Sequence, residues 1–305
     1  LSIMPKYLQL IAKLVVLIAL GGIPYYIYLH GLITENDVFY WKSTYASPTL
    51  ILGASRANQG IAPHLLEEEL GLEEKALNFA FTGIHSPYGE PYYEMVKRKI
   101  DYEHTPGLFI LSVHPANLVN YVGGNGRREQ DFRFYDLWCV NCNPNAEYII
   151  RNVSGGQSLL PVIITKIKPK REFDIIHHNG WIERTTPPEK RLREIEDLKA
   201  MQYEPVFAPE REEYLEKTVE YLSEYGTVVL VRLPIIPKFK NGEDEFWYRN
   251  FDEHMQEVAG RYGAHYLDYS GHGDEYEYND GIHHLDGPSA ERFTRRLAKD
   301  IANLK

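Results

Sequence analysis

Residues 7 to 32 read YLQLIAKLVVLIALGGIPYYIYLHGL, a run that is apolar except for Gln9, Lys13 and His30. Roughly 20 such residues are enough to cross a bilayer as a helix, and helical backbone is the only kind a single strand of chain can satisfy there. Lys6 lies just before the run, and the stem of Lys13 is long enough to reach back to the headgroups. Past the run come Glu35 and Asp37, with no basic residue until Lys42. The positive-inside tendency therefore predicts a cytoplasmic N-terminus and an extracytoplasmic remainder, periplasmic or at the cell surface. Tyr25, Tyr26 and Tyr28 are expected at the outer interface. No small-x-small cleavage site follows, so residues 1–33 read as an uncleaved signal anchor rather than a removed signal peptide or a core helix.

The rest of the chain, residues 34–305, is long enough for a substantial core, and 44% of all residues are hydrophobic. A net charge of -10 offers no basic stripe for phosphates, which excludes a nucleic-acid partner. The two cysteines, Cys139 and Cys142, stand in CVNC. Outside the membrane this pair reads as a short local disulfide or as two idle thiols, since one pair cannot complete a tetrahedral zinc site. The polar IHHNG at 176 to 180 reads as a loop.

Five apolar runs punctuate the chain: Thr49 to Leu52, KALNFAFTG at 75 to 83, PGLFILSVHP at 106 to 115, GTVVLVRLPIIP at 226 to 237 and AHYLDYS at 264 to 270. Amphipathic stretches separate them. Continuous buried strands alternating with helices predict a three-layer α/β/α sandwich around a parallel sheet. Residues 118 to about 208 break the rhythm. That stretch is polar and reads as an insertion that forms a lid or docks a partner.

In an open parallel sheet, ligands bind at the carboxyl ends of the strands. The first run ends in GASRANQG, which puts Ser55 at a strand tip, either as a helix N-cap or as a nucleophile beside unpaired amides. The second ends at Gly83, either an ordinary turn glycine or a point of close backbone approach. The third is followed by Asn117, either a loop residue or an amide donor. After the fifth comes EYNDGIHHLDGPS, where Asp280 stands three residues before His283. A carboxylate that close can fix the tautomer of an imidazole and stabilise its charged form. Asp286 then reads as the cap of the last helix. In a sheet ordered 2-1-3-4-5, the flavodoxin-like order, these ends lie near one another, and a hydroxyl, an imidazole and a carboxylate would meet.

These blocks resemble the SGNH (GDSL-like) hydrolase superfamily, in its membrane-anchored extracytoplasmic branch that acylates or deacylates envelope polymers. Gly53-Ala54-Ser55-Arg56 stands where the family has Gly-Asp-Ser, Gly83 where it has the second block's glycine, and Asp280-Gly281-Ile282-His283 where it has Asp-x-x-His. The resemblance covers residues 48 to 120 and 226 to 304. It implies Ser55 as nucleophile, His283 as general base, Asp280 as its partner, and the amides of Ser55 and Gly83 as oxyanion donors. The third block, Gly-x-Asn-Asp, is absent, and SVHPANL leaves Asn117 as the substitute donor. Counting back from the helix instead selects His284 as the base, so His284 is the alternative to His283.

The expected activity is that of an O-acyl esterase or O-acyltransferase on a glycan or envelope polymer, with no metal or other cofactor. The resemblance also suggests a multi-span membrane partner. A second expectation is a catalytically silent scaffold whose helix grips a larger membrane complex.

Overall fold

A computed structural model describes residues 5–83, 85, 88–121, 134, 136–154, 173–187 and 205–304. Its centre is a five-stranded, wholly parallel sheet. In chain order the strands are β1 (Thr49–Leu52), β2 (Ala76–Asn78), β3 (Gly107–Ser112), β8 (Gly226–Arg232) and β9 (His265–Asp268). They pair in the order β2-β1-β3-β8-β9, the flavodoxin-like 2-1-3-4-5 arrangement of the expected fold class.

Alternation of side chains along each strand divides the apolar residues between two faces. Leu50, Leu52, Phe109, Leu111, Val228 and Leu230 point to one core. There they meet helices α5 (Glu90–Lys99), α7 (Pro209–Ser223) and α9 (Phe251–Arg261). Ile51, Ile110, Val229 and Val231 point to the other core, against α3 (Ser55–Gly60), α4 (Pro63–Leu70) and α10 (Gly287–Ala302). Strands buried on both sides have no polar face to alternate with, which is why they read as unbroken apolar runs.

The segment expected as an insertion contributes α6 (Ala146–Ser154) and two antiparallel pairs. One joins β4 (Val119–Tyr121) to β7 (Pro205–Phe207), and the other joins β5 (Asp174–Ile176) to β6 (Ile182–Arg184). The β5–β6 hairpin docks on the edge of the sheet, where the Asn78 amide donates to the Asn179 carbonyl at 2.8 Å. The buried Lys42 ammonium clamps this junction, donating to the carbonyls of Asn78 (2.5 Å) and Gly180 (2.6 Å) and to Asn58 Oδ1 (3.0 Å). Much of the remaining insertion, including 188–204, lies outside the described residues. Cys139 and Cys142 are bonded, with 5.9 Å between their Cα atoms.

The apolar N-terminal run is one helix, Lys6–Asn36, long and apolar enough to cross a membrane. It comprises α1 (Lys6–Leu17), a π-turn at Ile18–Gly22 and α2 (Ile23–Asn36). Pro24 has no N–H for the carbonyl one turn earlier, which accounts for a slipped ladder just before it. Helix residues up to Tyr28 are largely exposed, whereas Leu29 and Ile33 are buried in the same core as β1 and β3.

Candidate active site

The turn from β1 into α3 is too sharp for a side chain at its first residue. Gly53 has φ +125°, and a Cβ there would meet Ser112 Cβ at 2.9 Å. Its amide is held by the Tyr92 hydroxyl at 3.0 Å, and that hydroxyl donates in turn to the Phe79 carbonyl at 2.9 Å. The turn delivers Ser55 as the first residue of α3, after Ala54 in the cap position. Ser55 therefore does not cap its helix. Its Oγ lies 2.8 Å from His284 Nε2.

The second half of the site is one loop closed on itself. The Asn279 amide donates to the His284 carbonyl at 2.8 Å, and Tyr278 bridges to Leu285. Gly281, at φ +72°, lets the chain double back between them. Asp280 sits in the middle. Its Oδ1 accepts the amides of Ile282 (2.9 Å), His283 (3.0 Å) and His284 (3.1 Å), and its Oδ2 accepts His284 Nδ1–H at 2.6 Å. Burial opposes ionisation of this carboxyl. The hydrogen bond from His284, the two neighbouring imidazoles and the Ile282 amide outweigh it and hold the group well below the usual carboxylate range. With Nδ1 donating to Asp280, Nε2 is left as the acceptor for the Ser55 hydroxyl proton.

The histidine preferred from the Asp-x-x-His spacing is thus not the one in line. His284, four residues after Asp280, is the histidine that lies between Asp280 and Ser55. The reason is the turn itself: with three successive amides wrapped round Oδ1, the chain winds past His283 before an imidazole faces Ser55. His283 lies beside the site, its ring stacked on Phe239 (centroids 5.2 Å, 21°) and 4.1 Å from the His284 ring. Its Nδ1 is 3.5 Å from Asp280 Oδ2.

Asn117 ends a short 3-10 turn, Pro115–Asn117, that follows β3. Its Oδ1 accepts the His114 amide at 2.9 Å, while Nδ2 is buried and has no acceptor among the described residues. Gly83 lies in an exposed turn two residues beyond Phe81, whose amide is tied to the Gly53 carbonyl at 3.0 Å. Asp280, His283 and His284 each bring one ligand atom within 4.8 Å of the others, a spacing a metal ion accepts. In Asp280 and His284, however, these atoms already serve the Ser55 chain.

Behind this arrangement lies a buried charge cluster to which no motif pointed. Arg56, next to Ser55, is 3% exposed and pairs through Nη2 with Glu243 Oε1, itself in a carboxylate 1% exposed. The other Glu243 oxygen receives Arg232 Nη2 at 3.3 Å, and Arg232 also binds Asp244 (2.6 Å) and Asp252 (2.8 Å). The Arg56 guanidinium lies over Phe239, the ring that backs His283. A charged residue directly after a strand-tip serine was the available signal. A cavity of about 760 Å³ lies elsewhere, lined in part by Trp41, Tyr45, His64, Glu67 and His178, and includes no member of the Ser55–His284–Asp280 set.

No protein-family model matches the chain, and no curated protein matches it. Among solved structures it is similar to one described as a putative arylesterase from Agrobacterium tumefaciens str. C58. That similarity has 12% identity and a TM-score of 0.40, over 84% of this chain and 100% of the other.

Proposed function

We propose that the protein is a serine-dependent O-acyl esterase or O-acyltransferase of the SGNH kind, working outside the membrane on an acylated glycan or envelope polymer. The observation that carries this reading is the unbroken chain from Ser55 Oγ through His284 to Asp280, at 2.8 and 2.6 Å. Two of its members are 229 residues apart in sequence, and a scaffold has no need to bring them into register.

In this mechanism His284 Nε2 takes the hydroxyl proton as Ser55 Oγ attacks the acyl carbonyl. Asp280 stabilises the resulting imidazolium. Negative charge on the former carbonyl oxygen meets the Ser55 amide, the Gly83 amide and the unsatisfied Nδ2 of Asn117. As the tetrahedral intermediate collapses, His284 returns its proton to the departing alcohol and the acyl group stays on Ser55. Water or a sugar hydroxyl, deprotonated by the same nitrogen, then attacks the acyl carbonyl; the acyl group leaves on the new oxygen as Ser55 Oγ departs and recovers its proton from His284. The silent-scaffold reading retains the anchor and a membrane partner but assigns no work to this triad.

The test is covalent. The full chain, treated with a fluorophosphonate probe, should be labelled at Ser55, with the adduct located by mass spectrometry. Labelling should be lost in Ser55→Ala, fall by at least a hundred-fold or so in His284→Ala, and persist in His283→Ala. Absence of labelling in folded protein would sink the reading in favour of the scaffold.

A further inference from the structure

The level at which the helix leaves the lipid follows from its own surface. From Tyr7 to Tyr28 it is apolar and largely exposed. At 1.5 Å per residue that stretch measures roughly 33 Å, close to the thickness of a bilayer's hydrocarbon core. Tyr25 and Tyr26 pack on the domain core, and Leu29 is buried within it. The base of the domain therefore meets the lipid surface near these residues.

A short chain of contacts leads from that level to the disulfide loop. The His30 and Tyr40 rings meet at 5.7 Å. The Tyr40 hydroxyl accepts the Asn145 amide at 3.2 Å, and Asn145 Nδ2 donates to the carbonyls of Ser43 and Cys139, both at 2.9 Å. Next to Cys139 stands Trp138, 88% exposed. Beside it, α6 packs on α2 and presents Ile150, 61% exposed.

Nothing holds Trp138 loosely. Its amide and that of Cys139 donate to Glu147 Oε2 at 2.9 and 3.1 Å, and its carbonyl accepts Arg98 Nη2 at 2.6 Å. The buried Lys99 ammonium donates to the Val140 carbonyl at 2.8 Å and to Asn141 Oδ1 at 2.6 Å, inside the ring closed by the disulfide. A loop fixed by this many bonds displays an indole rather than losing one by accident. The headgroup level of a bilayer, apolar below and wet above, is where an indole is most stable outside a core.

We propose that Trp138, with Ile150, forms a second contact with lipid, seating its ring in the surface of the bilayer that the helix crosses. The proposal rests on the membrane reading of the helix, and lipid is the occupant because the loop is tied to the point where that helix emerges. The test uses the full chain in phosphatidylcholine vesicles, with and without lipid carrying a doxyl group near the headgroup, against Trp138→Phe. The difference in fluorescence isolates Trp138 from Trp41, Trp181 and Trp247, and circular dichroism checks that the variant folds. A difference signal that is blue-shifted, loses intensity with doxyl lipid and resists acrylamide is expected. A signal quenched by acrylamide but not by doxyl lipid overturns the proposal, and so does protection from both, which would indicate contact between copies. If alkaline carbonate strips the chain from the vesicles, the anchor reading fails as well. If the chain stays while Trp138 remains wet, only the surface contact fails.

Discussion

Asp280 uses one oxygen to organise backbone and the other to orient the His284 imidazole, and the two tasks can be separated. Asp280→Asn keeps an oxygen for the three amides but can no longer be a full carboxylate acceptor for His284 Nδ1–H. Turnover should fall by about ten-thousand-fold, the scale seen when a triad aspartate loses its charge, with little change in KM. Titration gives an independent reading of the same carboxyl. Because its folded pKa is depressed, its contribution to stability is present above the ordinary carboxylate range, about pH 4, and is lost as pH falls below it. Urea midpoints followed downward from neutral pH should therefore drop more steeply in the wild type than in Asp280→Asn. Asn117 is tested in the same manner. If its buried Nδ2 serves the oxyanion, Asn117→Ala lowers kcat by about a hundred- to a thousand-fold, and an unchanged kcat would remove it from the site.

At the scale of elements, the site is a strand tip and a loop pressed together by a third segment. Glu243, in the π-turn Glu243–Trp247 that follows β8 and the short helix α8 (Pro237–Gly242), stands between the buried guanidinium groups of Arg56 and Arg232. Removing one partner from such a cluster leaves buried charge uncompensated. Glu243→Gln should then cost about 3–5 kcal/mol of stability, measurable by chemical denaturation. Replacing a buried pair together by apolar residues is much less damaging than breaking it, so Arg56→Met combined with Glu243→Gln should recover part of the loss. If Glu243→Gln is neutral, the clamp is not what positions Ser55.

At the scale of the whole molecule, the N-terminal helix, long and apolar enough to cross a membrane, is also a core element. Leu29 and Ile33 are buried with the residues of β1 and β3, and the Tyr148 hydroxyl donates to Asp37 at 3.0 Å just past the helix end. Ile33→Ala should therefore destabilise the domain by about 2–5 kcal/mol, as a core truncation does, in a thermal unfolding assay on the reconstituted chain. A neutral result would mean that the helix is only a tether. The expected boundary at residue 33 divides the chain by hydropathy, whereas packing continues across it.

Hydropathy and period by themselves determined the membrane-length helix and the runs that became the five strands, because burial leaves an apolar signature that needs no knowledge of neighbours. The strand-tip position of Ser55 and the place of Asp280 in the loop before the last helix were legible in the sequence as well, since strand ends and helix starts are local features. Tertiary structure alone decided which histidine faces the serine. Spacing along the chain counts residues, but the amides wrapped round Asp280 set the direction of each side chain, and they place His284 in line and turn His283 toward Phe239. It alone also revealed the buried Arg56–Glu243–Arg232 cluster, because a charged residue is presumed solvated until its partners, distant in sequence, are seen to close over it.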